Sequence, residues 1–283
     1  MKQWIAVAMA LVGLGGMATA ASAQSRPLVT EDAETVPAGN ILIEAGFDYL
    51  RDLYFPLSGL RGDLMRLGTF GVSVGVSSIA EIQVDGGVRN KLTIVSATRG
   101  PLFGELDITG DTTIDVEDLV VGTKVRLVGE GQNRPSIALR FATRLPNASN
   151  ESGLGLDTID FHFGMAIAKT VRSVRLVGNF GFGILPDPLL GGRQNDVMAF
   201  GGSVARAVGS GVELVGELNG RMSLRNGDSP VGTESRGTMR LGARFTQGPV
   251  RIDGAFMAGI SDFDPSWGIT TGVTWVFRAF TLP

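Results

Sequence analysis

Charged and polar side chains recur at every second position along several stretches of this 283-residue chain. Within residues 136–145, Arg140 and Arg144 alternate with apolar residues such as Leu139 and Phe141. A guanidinium donates paired hydrogen bonds to anionic and polar groups, so arginines that face a pore could select its solutes. The candidate residues on these polar faces are Glu44, Asp48, Glu81, Asp85, Lys124, Arg126, Arg140, Arg144, Asp160, His162, Arg175, Glu213, Glu217, Arg240 and Arg244.

Two interpretations of these charges remain open. The acidic strands at 81–89 and 212–221 neighbour the basic strands at 120–128 and 238–245, so opposite charges would stand beside each other across the ladder. Enclosed charges are normally paired, and small barrels fill their interiors with side chains, so the pairs could simply neutralise a narrow lumen. Alternatively, they line a channel.

His162 is the chain's one histidine and could in principle act as a general base. Catalysis also needs a positioned nucleophile, and no nucleophile-elbow pattern surrounds a serine in this sequence. We therefore expect a lumen-lining histidine and a protein that is not an enzyme.

An acidic stretch at residues 107–118 partly matches the spacing of a calcium-binding loop. Its candidate ligands are Asp107, Asp111, Asp115 and Asp118. The sixth position, where the loop needs glycine for its sharp turn, is Thr112, and the twelfth is aspartate instead of glutamate. We expect a solvated loop without metal, with calcium as the weaker alternative, and no cofactor elsewhere.

Alternating stretches of about ten residues must position all of these side chains. They predict twelve strands at residues 40–50, 67–76, 81–89, 120–128, 136–145, 158–169, 174–184, 197–207, 212–221, 238–245, 250–260 and 267–280. Long and short connections alternate between them, which is typical of an up-and-down transmembrane barrel with long loops at one end. A secreted β-sandwich would need neither the uniform strand length nor the paired loop lengths. The predicted fold is therefore all-β: a transmembrane antiparallel β-barrel of about twelve strands.

The N-terminus has the pattern of an export signal. Lys2 precedes an apolar stretch at residues 5–17, and an Ala-Ser-Ala cleavage site occupies 21–23. We expect a signal peptide at 1–23, a periplasmic leader at 24–38 and the barrel at 39–283. Mean hydropathy is +0.20, yet no apolar stretch of about 18 residues follows the signal. The absence of cysteine excludes a disulfide scaffold, and a net charge of -3 gives no indication of nucleic-acid binding.

Short motifs along the mature chain carry a resemblance to a known family. They are RPLVTEDA at 26–33, VP at 36–37, GD at 110–111, DL at 118–119, GTKV at 122–125, RLPN at 144–147 and QND at 194–196. The chain resembles the outer-membrane barrels grouped as the MetA-pathway-of-phenol-degradation family. That resemblance implies a transporter-like barrel in the outer membrane of a Gram-negative bacterium, and the family's name suggests phenolic or aromatic compounds.

The expected function is passive passage of small solutes, with residues 90–119 as a candidate constriction. The alternative is a self-plugged structural or adhesion barrel whose outer loops bind partners. The expected partners are outer-membrane lipid, a small-molecule solute and the barrel-assembly machinery. The last expectation comes from Val273, Trp275 and Phe277, which resemble the aromatic C-terminal strand that this machinery recognises.

Overall fold

A computed structural model describes residues 25–281, so the predicted signal peptide lies outside the described residues. The structure has thirteen strands and one short 3-10 turn, Phe103–Glu105. The strands are β1 (Asn40–Phe55), β2 (Leu60–Gly75), β3 (Ala80–Ala97), β4 (Thr112–Asp115), β5 (Val120–Val128), β6 (Ser136–Arg144), β7 (Asp160–Val171), β8 (Val174–Pro186), β9 (Gln194–Gly209), β10 (Val212–Ser223), β11 (Arg236–Gln247), β12 (Val250–Gly259) and β13 (Trp267–Arg278). Within residues 25–281, no helix has the length and hydropathy needed to cross a bilayer.

Twelve of these strands form a closed antiparallel barrel. Each pairs with its neighbour along the chain, and β13 returns to pair with β1 over twelve residues. Strand β4 is the exception, because it adds only to the β3 residues 90–93, while β5 pairs with β3 at residues 80–85. The predicted twelve-stranded, all-β barrel is confirmed. We call the end opposite the chain termini, where β1 meets β2, the distal end.

The two faces of the barrel wall differ in chemistry. Outward positions carry large apolar side chains, including Phe141, Phe161 and Phe163, with about half of Phe161 exposed (54%). Between them on β7, His162 and Gly164 face inward. Strict alternation puts every second residue on the same face, so this pattern makes an apolar exterior suited to lipid around a polar interior.

Strands β1 to β3 extend further toward the distal end than the pattern predicts. The alternation stops at Arg51 and Asp52, where a register shift occurs between Leu50 and Leu53. Asp52 has a φ of 58°, a left-handed conformation that aspartate tolerates better than most residues. The bulge restores the inward direction at Leu53, and the hairpin continues to a tight turn at residues 56–59.

Part of the wall inside the distal end is apolar. A buried cluster, the distal cluster, consists of Leu50, Leu53, Leu60, Leu64, Leu92 and Met257. Leu106 and Ile108, from the segment between β3 and β4, pack against it, as does Leu154 from the β6–β7 loop. Hydrogen bonds connect these loops, including Ser58 Oγ to the Gly153 carbonyl at 2.9 Å. The distal loops therefore fold over the mouth of the barrel.

Replacement of Leu92 by alanine tests the distal cluster. Leu92 lies opposite Leu64 across the β2–β3 ladder and is fully buried, so its truncation should lower the free energy of unfolding by about 2–5 kcal/mol. Leu224→Ala, at a half-exposed leucine in the β10–β11 loop, should change it by about 0.5 kcal/mol or less. Urea titration in lipid vesicles measures both. Equal losses would show that the cluster does not stabilise the barrel.

Candidate functional site

The interior of the barrel is organised by paired charges. Glu81 on β3 and Lys124 on β5 lie directly opposite each other in the ladder, and Lys124 Nζ is 3.0 Å from the Glu81 carboxylate. Neither side chain is more than 1% exposed. On β10 and β11, Glu217 lies opposite Arg240 at 3.6 Å. Opposite charges, which the sequence places on these neighbouring strands, thus lie beside each other at both places.

Residues 25–38, which we call the inner segment, lie within the barrel. Starting at Ser25, the segment contacts β13 and β12, then β11, β10 and β8, then β6, β5 and β3, and it ends against β2 where Pro37 packs on Gly75. It therefore follows the inner wall for most of its circumference. Pro27, Ala33 and Val36 are almost fully buried. The sequence suggested a leader on the periplasmic side but gave no indication of this location.

Acidic side chains of the inner segment bind basic side chains of the wall. Glu31 accepts from Lys124 at 3.2 Å and lies 3.4 Å from Arg140. Asp32 pairs with Arg175, and Glu34 pairs with Arg126. Arg175 also reaches Glu130 in the β5–β6 turn at 2.9 Å. These four basic residues were predicted to line the lumen, and the structure assigns each of them an acidic partner from the leader.

The backbone of the inner segment is bound as well. The Glu217 carboxylate accepts the Val29 and Thr30 amides at 2.8–2.9 Å. Arg240 donates to the Pro27 carbonyl at 3.0 Å, and Arg244 donates to the Arg26 carbonyl at 2.7 Å. Because a buried backbone without partners would be costly, these side chains allow an extended segment to lie away from any strand.

Arg26 anchors the start of the inner segment against the seam between β1 and β13. Its Nη2 donates to the Thr271 carbonyl at 2.8 Å and to Thr270 Oγ1 at 3.1 Å. The seam is open here because Gly46 and Gly272 face the guanidinium, and a β-carbon at Gly272 would also lie only 2.6 Å from the Ala45 carbonyl. The guanidinium therefore packs directly on the backbone of the wall.

The remaining candidates point into the same interior but have other partners. Arg144 pairs with Asp160, at 2.6 Å, and with Asp118. Asp48 pairs with Arg66 at 2.8 Å, and Glu44 accepts from Thr274 at 3.2 Å. Two contacts are longer: Asp85 to Arg140 at 3.8 Å and Glu213 to Arg251 at 3.9 Å. Whether these residues line a conducting path stays a prediction.

Small residues leave one side of the lumen open. The inward positions of β7, β8 and β9 include Gly164, Ala166, Gly181, Ala199 and Gly201. A cavity of about 230 Å³ lies along this wall, beside Thr30 and Glu31 of the inner segment. Arg140, His162 and Asn219 supply its polar lining. The space next to the segment could hold a small molecule or water.

His162 faces this cavity without a hydrogen-bond partner among residues 25–281. A histidine that activates a nucleophile must hydrogen-bond to it, and such a pair is not formed here. The geometry therefore gives no support to catalysis by His162.

The acidic stretch at 107–118 contains a strand and several hydrogen bonds to a neighbouring loop. That strand is β4, and two of the four candidate ligands in the stretch have other partners. Asp115 accepts the Ser149 amide at 2.8 Å, while Asp118 accepts the Asn147 and Ala148 amides and pairs with Arg144. In the described part of the chain, no three acidic, histidine or cysteine residues gather as metal ligands. These aspartates instead connect the distal loops.

The wall residues that hold the inner segment through uncharged groups were not predicted from the sequence. Asn179 accepts the Glu31 amide at 2.7 Å and donates to the Glu31 carbonyl, while Gln83 donates to Glu31. One signal was available: the leader carries three carboxylates and one arginine, whereas basic residues predominate on the facing positions of β5, β6, β8 and β11. Such complementary charge indicates an intramolecular contact.

A closed twelve-stranded antiparallel barrel with an apolar exterior and a charged interior defines the class of transmembrane β-barrels. Solved structures share this fold. The chain matches the COG4313 outer membrane channel from Pseudomonas putida F1 with a TM-score of 0.58 and 12% identity, over 87% of this chain and 98% of that one.

Two further solved structures resemble the chain with TM-scores below 0.5. The NanC porin matches at 0.49 with 9% identity, over 86% of this chain and all of that one. LpxR from Salmonella typhimurium matches at 0.44 with 11% identity, over 84% of this chain and all of that one. No family model and no curated protein matches the chain. The resemblance to the MetA-pathway-of-phenol-degradation barrels therefore stays a prediction.

Acid should loosen the inner segment. Burial raises the pKa of Glu31, but the positive charges of Lys124 and Arg140 lower it by more. The pKa of the docked carboxyl therefore lies below its ordinary value. A group with a depressed pKa contributes its full stabilisation above the ordinary pKa and loses it as pH falls through the docked value. The stability of the docked inner segment should therefore be constant between neutral pH and about pH 5, and it should fall once the pH drops below the ordinary range of carboxyl pKa values.

A spin label on Val29→Cys measures this, because Val29 is half exposed and the chain has no native cysteine. Nitroxide mobility should rise only at acid pH in the otherwise native chain. Adding Glu31→Gln should raise the mobility at neutral pH and reduce its change with pH. A label whose mobility is the same in both chains at every pH would contradict a role for Glu31 in docking.

Proposed function

We propose that this protein is an outer-membrane channel of a Gram-negative bacterium for small solutes, and that its lumen is closed in this conformation by the inner segment. The observation that carries the proposal is the way in which the lumen is filled. A separate extended segment, bound by ion pairs and hydrogen bonds, occupies an interior whose wall is already complete. A segment bound in this way can leave the lumen while the barrel strands stay paired with one another.

The wall does not depend on the inner segment for its hydrogen bonds. Each of the twelve barrel strands pairs with the strand on either side, and β13 pairs with β1 to close the barrel. The segment contributes no strand, and its hydrogen bonds and ion pairs with the facing strands each involve a side chain. Its release would need water to enter and solvate the separated charges, which a polar lumen permits.

Known structures and motifs give further support. The similar barrel from Pseudomonas putida F1 is described as an outer membrane channel, and at 12% identity this likeness shows the fold of the present chain and supports its function only as a proposal. The motif resemblance extends the proposal to aromatic or phenolic solutes. Export by a cleaved signal peptide and insertion by the barrel-assembly machinery belong to the same proposal.

Release of the inner segment should make the lumen more positive. The segment carries Arg26 and the carboxylates Glu31, Asp32 and Glu34, a net charge of -2. Without it, Lys124, Arg126, Arg140 and Arg175 lose neutralising partners while remaining on the wall. An open lumen with these residues should favour anions over cations.

Single-channel recording in planar bilayers tests the proposal. The mature chain should be silent or nearly so, whereas a chain whose residues 26–36 are replaced by Gly/Ser at the same length should carry a stable, anion-selective current. Within that open chain, Arg140→Ala should lower the anion selectivity because it removes an inward charge. Arg206→Ala, at an exposed position on the outer face of β9, should leave the selectivity unchanged.

A silent Gly/Ser chain that is nevertheless folded and inserted would sink the channel proposal. The folded state is checked separately by resistance of the barrel to proteolysis in vesicles. Such a result would favour the alternative, a structural or adhesion barrel whose interlocked distal loops bind partners. The filled lumen and the hydrogen-bonded loops are the observations that keep this alternative in view.

A further inference from the structure

A second cavity, of about 310 Å³, lies under the distal loops and well above the inner segment. Its walls differ sharply in chemistry. Arg144, Arg221 and Arg236 lie on its barrel side, while Leu57 and Leu154 belong to the loops that cover it and Phe55 lies at the end of β1. Its volume is at the lower end of the range of about 300–1,000 Å³ found for small-molecule pockets. We call it the distal pocket.

Two of the arginines oppose each other without a neutralising partner. Arg221 on β10 and Arg236 on β11 are direct partners in the ladder, an arrangement in which like charges repel. Arg221 donates to the carbonyls of Glu234, at 3.0 Å, and Gly232, at 3.2 Å. Within residues 25–281, neither guanidinium forms an ion pair with a carboxylate, and Arg236 Nε is buried without any acceptor.

The acidic residues nearest to these arginines form hydrogen bonds to other groups. Glu234 Oε1 accepts the Gly232 amide at 2.7 Å, while Glu234 Oε2 is buried without a hydrogen-bond partner. Asp264 accepts from the Gly237 amide at 2.9 Å and from Ser261 Oγ at 2.6 Å. Asp160 pairs with Arg144. Within residues 25–281, no carboxylate is therefore paired directly with Arg221 or Arg236, although each guanidinium is half buried.

We propose that the distal pocket binds a small organic carboxylate with a compact apolar body, such as a monocyclic aromatic acid. The carboxylate would accept charge-assisted hydrogen bonds from Arg221 and Arg236, including the free Arg236 Nε. The body would pack against Leu57 and Leu154, which border the same space. This site rests on the proposed channel function, since it gives that channel a first binding site at its distal mouth.

Both halves of the pocket are needed for this choice of ligand. An inorganic anion would satisfy the guanidinium groups but leave the apolar cover without contact. A neutral aromatic molecule would fill the cover but would leave the buried Arg236 Nε without an acceptor and both positive charges without an anion, which costs free energy. A carboxylate attached to an apolar ring is the class that satisfies both.

Fluorine NMR with 4-fluorobenzoate as the probe tests the site in the full mature chain in detergent. The native protein should broaden the probe resonance saturably. Arg221→Gln and Arg236→Gln should each weaken the affinity by about tenfold, the effect expected for loss of a charge-assisted contact. Arg225→Gln, an exposed arginine of the same β10–β11 loop outside the pocket, should leave it unchanged.

Two competing explanations are excluded by matched probes. If 4-fluorobenzyl alcohol, a neutral probe of similar shape, is broadened equally, the signal reports partition into detergent, and the proposal fails. If sulfate displaces 4-fluorobenzoate as effectively as benzoate does, the site is a plain anion site, and the proposal also fails. Circular dichroism of each variant confirms that a lost signal does not come from a lost fold.

The result is separable from the channel proposal, because binding is measured without conductance. Saturable binding that depends on Arg221 and Arg236, in a chain that never conducts, would support the binding site and contradict the channel proposal. A conducting Gly/Ser chain with no arginine-dependent binding would keep the channel and overturn the site.

Discussion

The interior of the barrel depends on compensation of the buried positive charge of Lys124. Its side chain is fully enclosed between Glu81 of the wall and Glu31 of the inner segment. A charge removed from water is tolerated only when partners and hydrogen bonds compensate the lost hydration. The wall supplies one carboxylate, and the inner segment supplies the second. The same arrangement, a wall cation completed by a leader carboxylate, recurs at Arg126, Arg140 and Arg175.

The lumen of the twelve-stranded barrel holds one extended segment, and this segment brings its carboxylates into contact with the charges of the wall. Small inward residues on β7 to β9, such as Gly164 and Gly181, make room on one side, and the charged strands bind on the other. The segment therefore lies against the charged part of the wall, and the 230 Å³ cavity remains beside it.

The sequence alone predicts the barrel because its signal is local and repeated. Alternation of residues such as Phe161, His162 and Phe163 identifies both faces of a strand without any knowledge of its neighbours. The longer β1 to β3 hairpins could not be predicted, because Arg51 and Asp52 interrupt the alternation at a bulge.

The location of the inner segment could not be predicted either, since it depends on contacts between residues up to 245 positions apart in the sequence. Glu217 lies 188 positions from Val29. Charge complementarity indicates that the leader and the wall attract each other, but it does not give the path of the segment. The distal pocket is harder still, because Arg221 and Arg236 stand out only once the ladder shows them opposite each other.

Two obstructions therefore lie in series along the barrel, and they differ in chemistry. The distal loops close on an apolar cluster that includes Leu92, so water strengthens this closure. The inner segment is held by ion pairs, so water, salt and acid weaken it. A solute that crosses the barrel would need an apolar surface to separate the distal loops. It would also need charge to compete for the ion pairs that hold the inner segment. The distal pocket, with leucines on one side and arginines on the other, lies between the two closures and combines both chemistries.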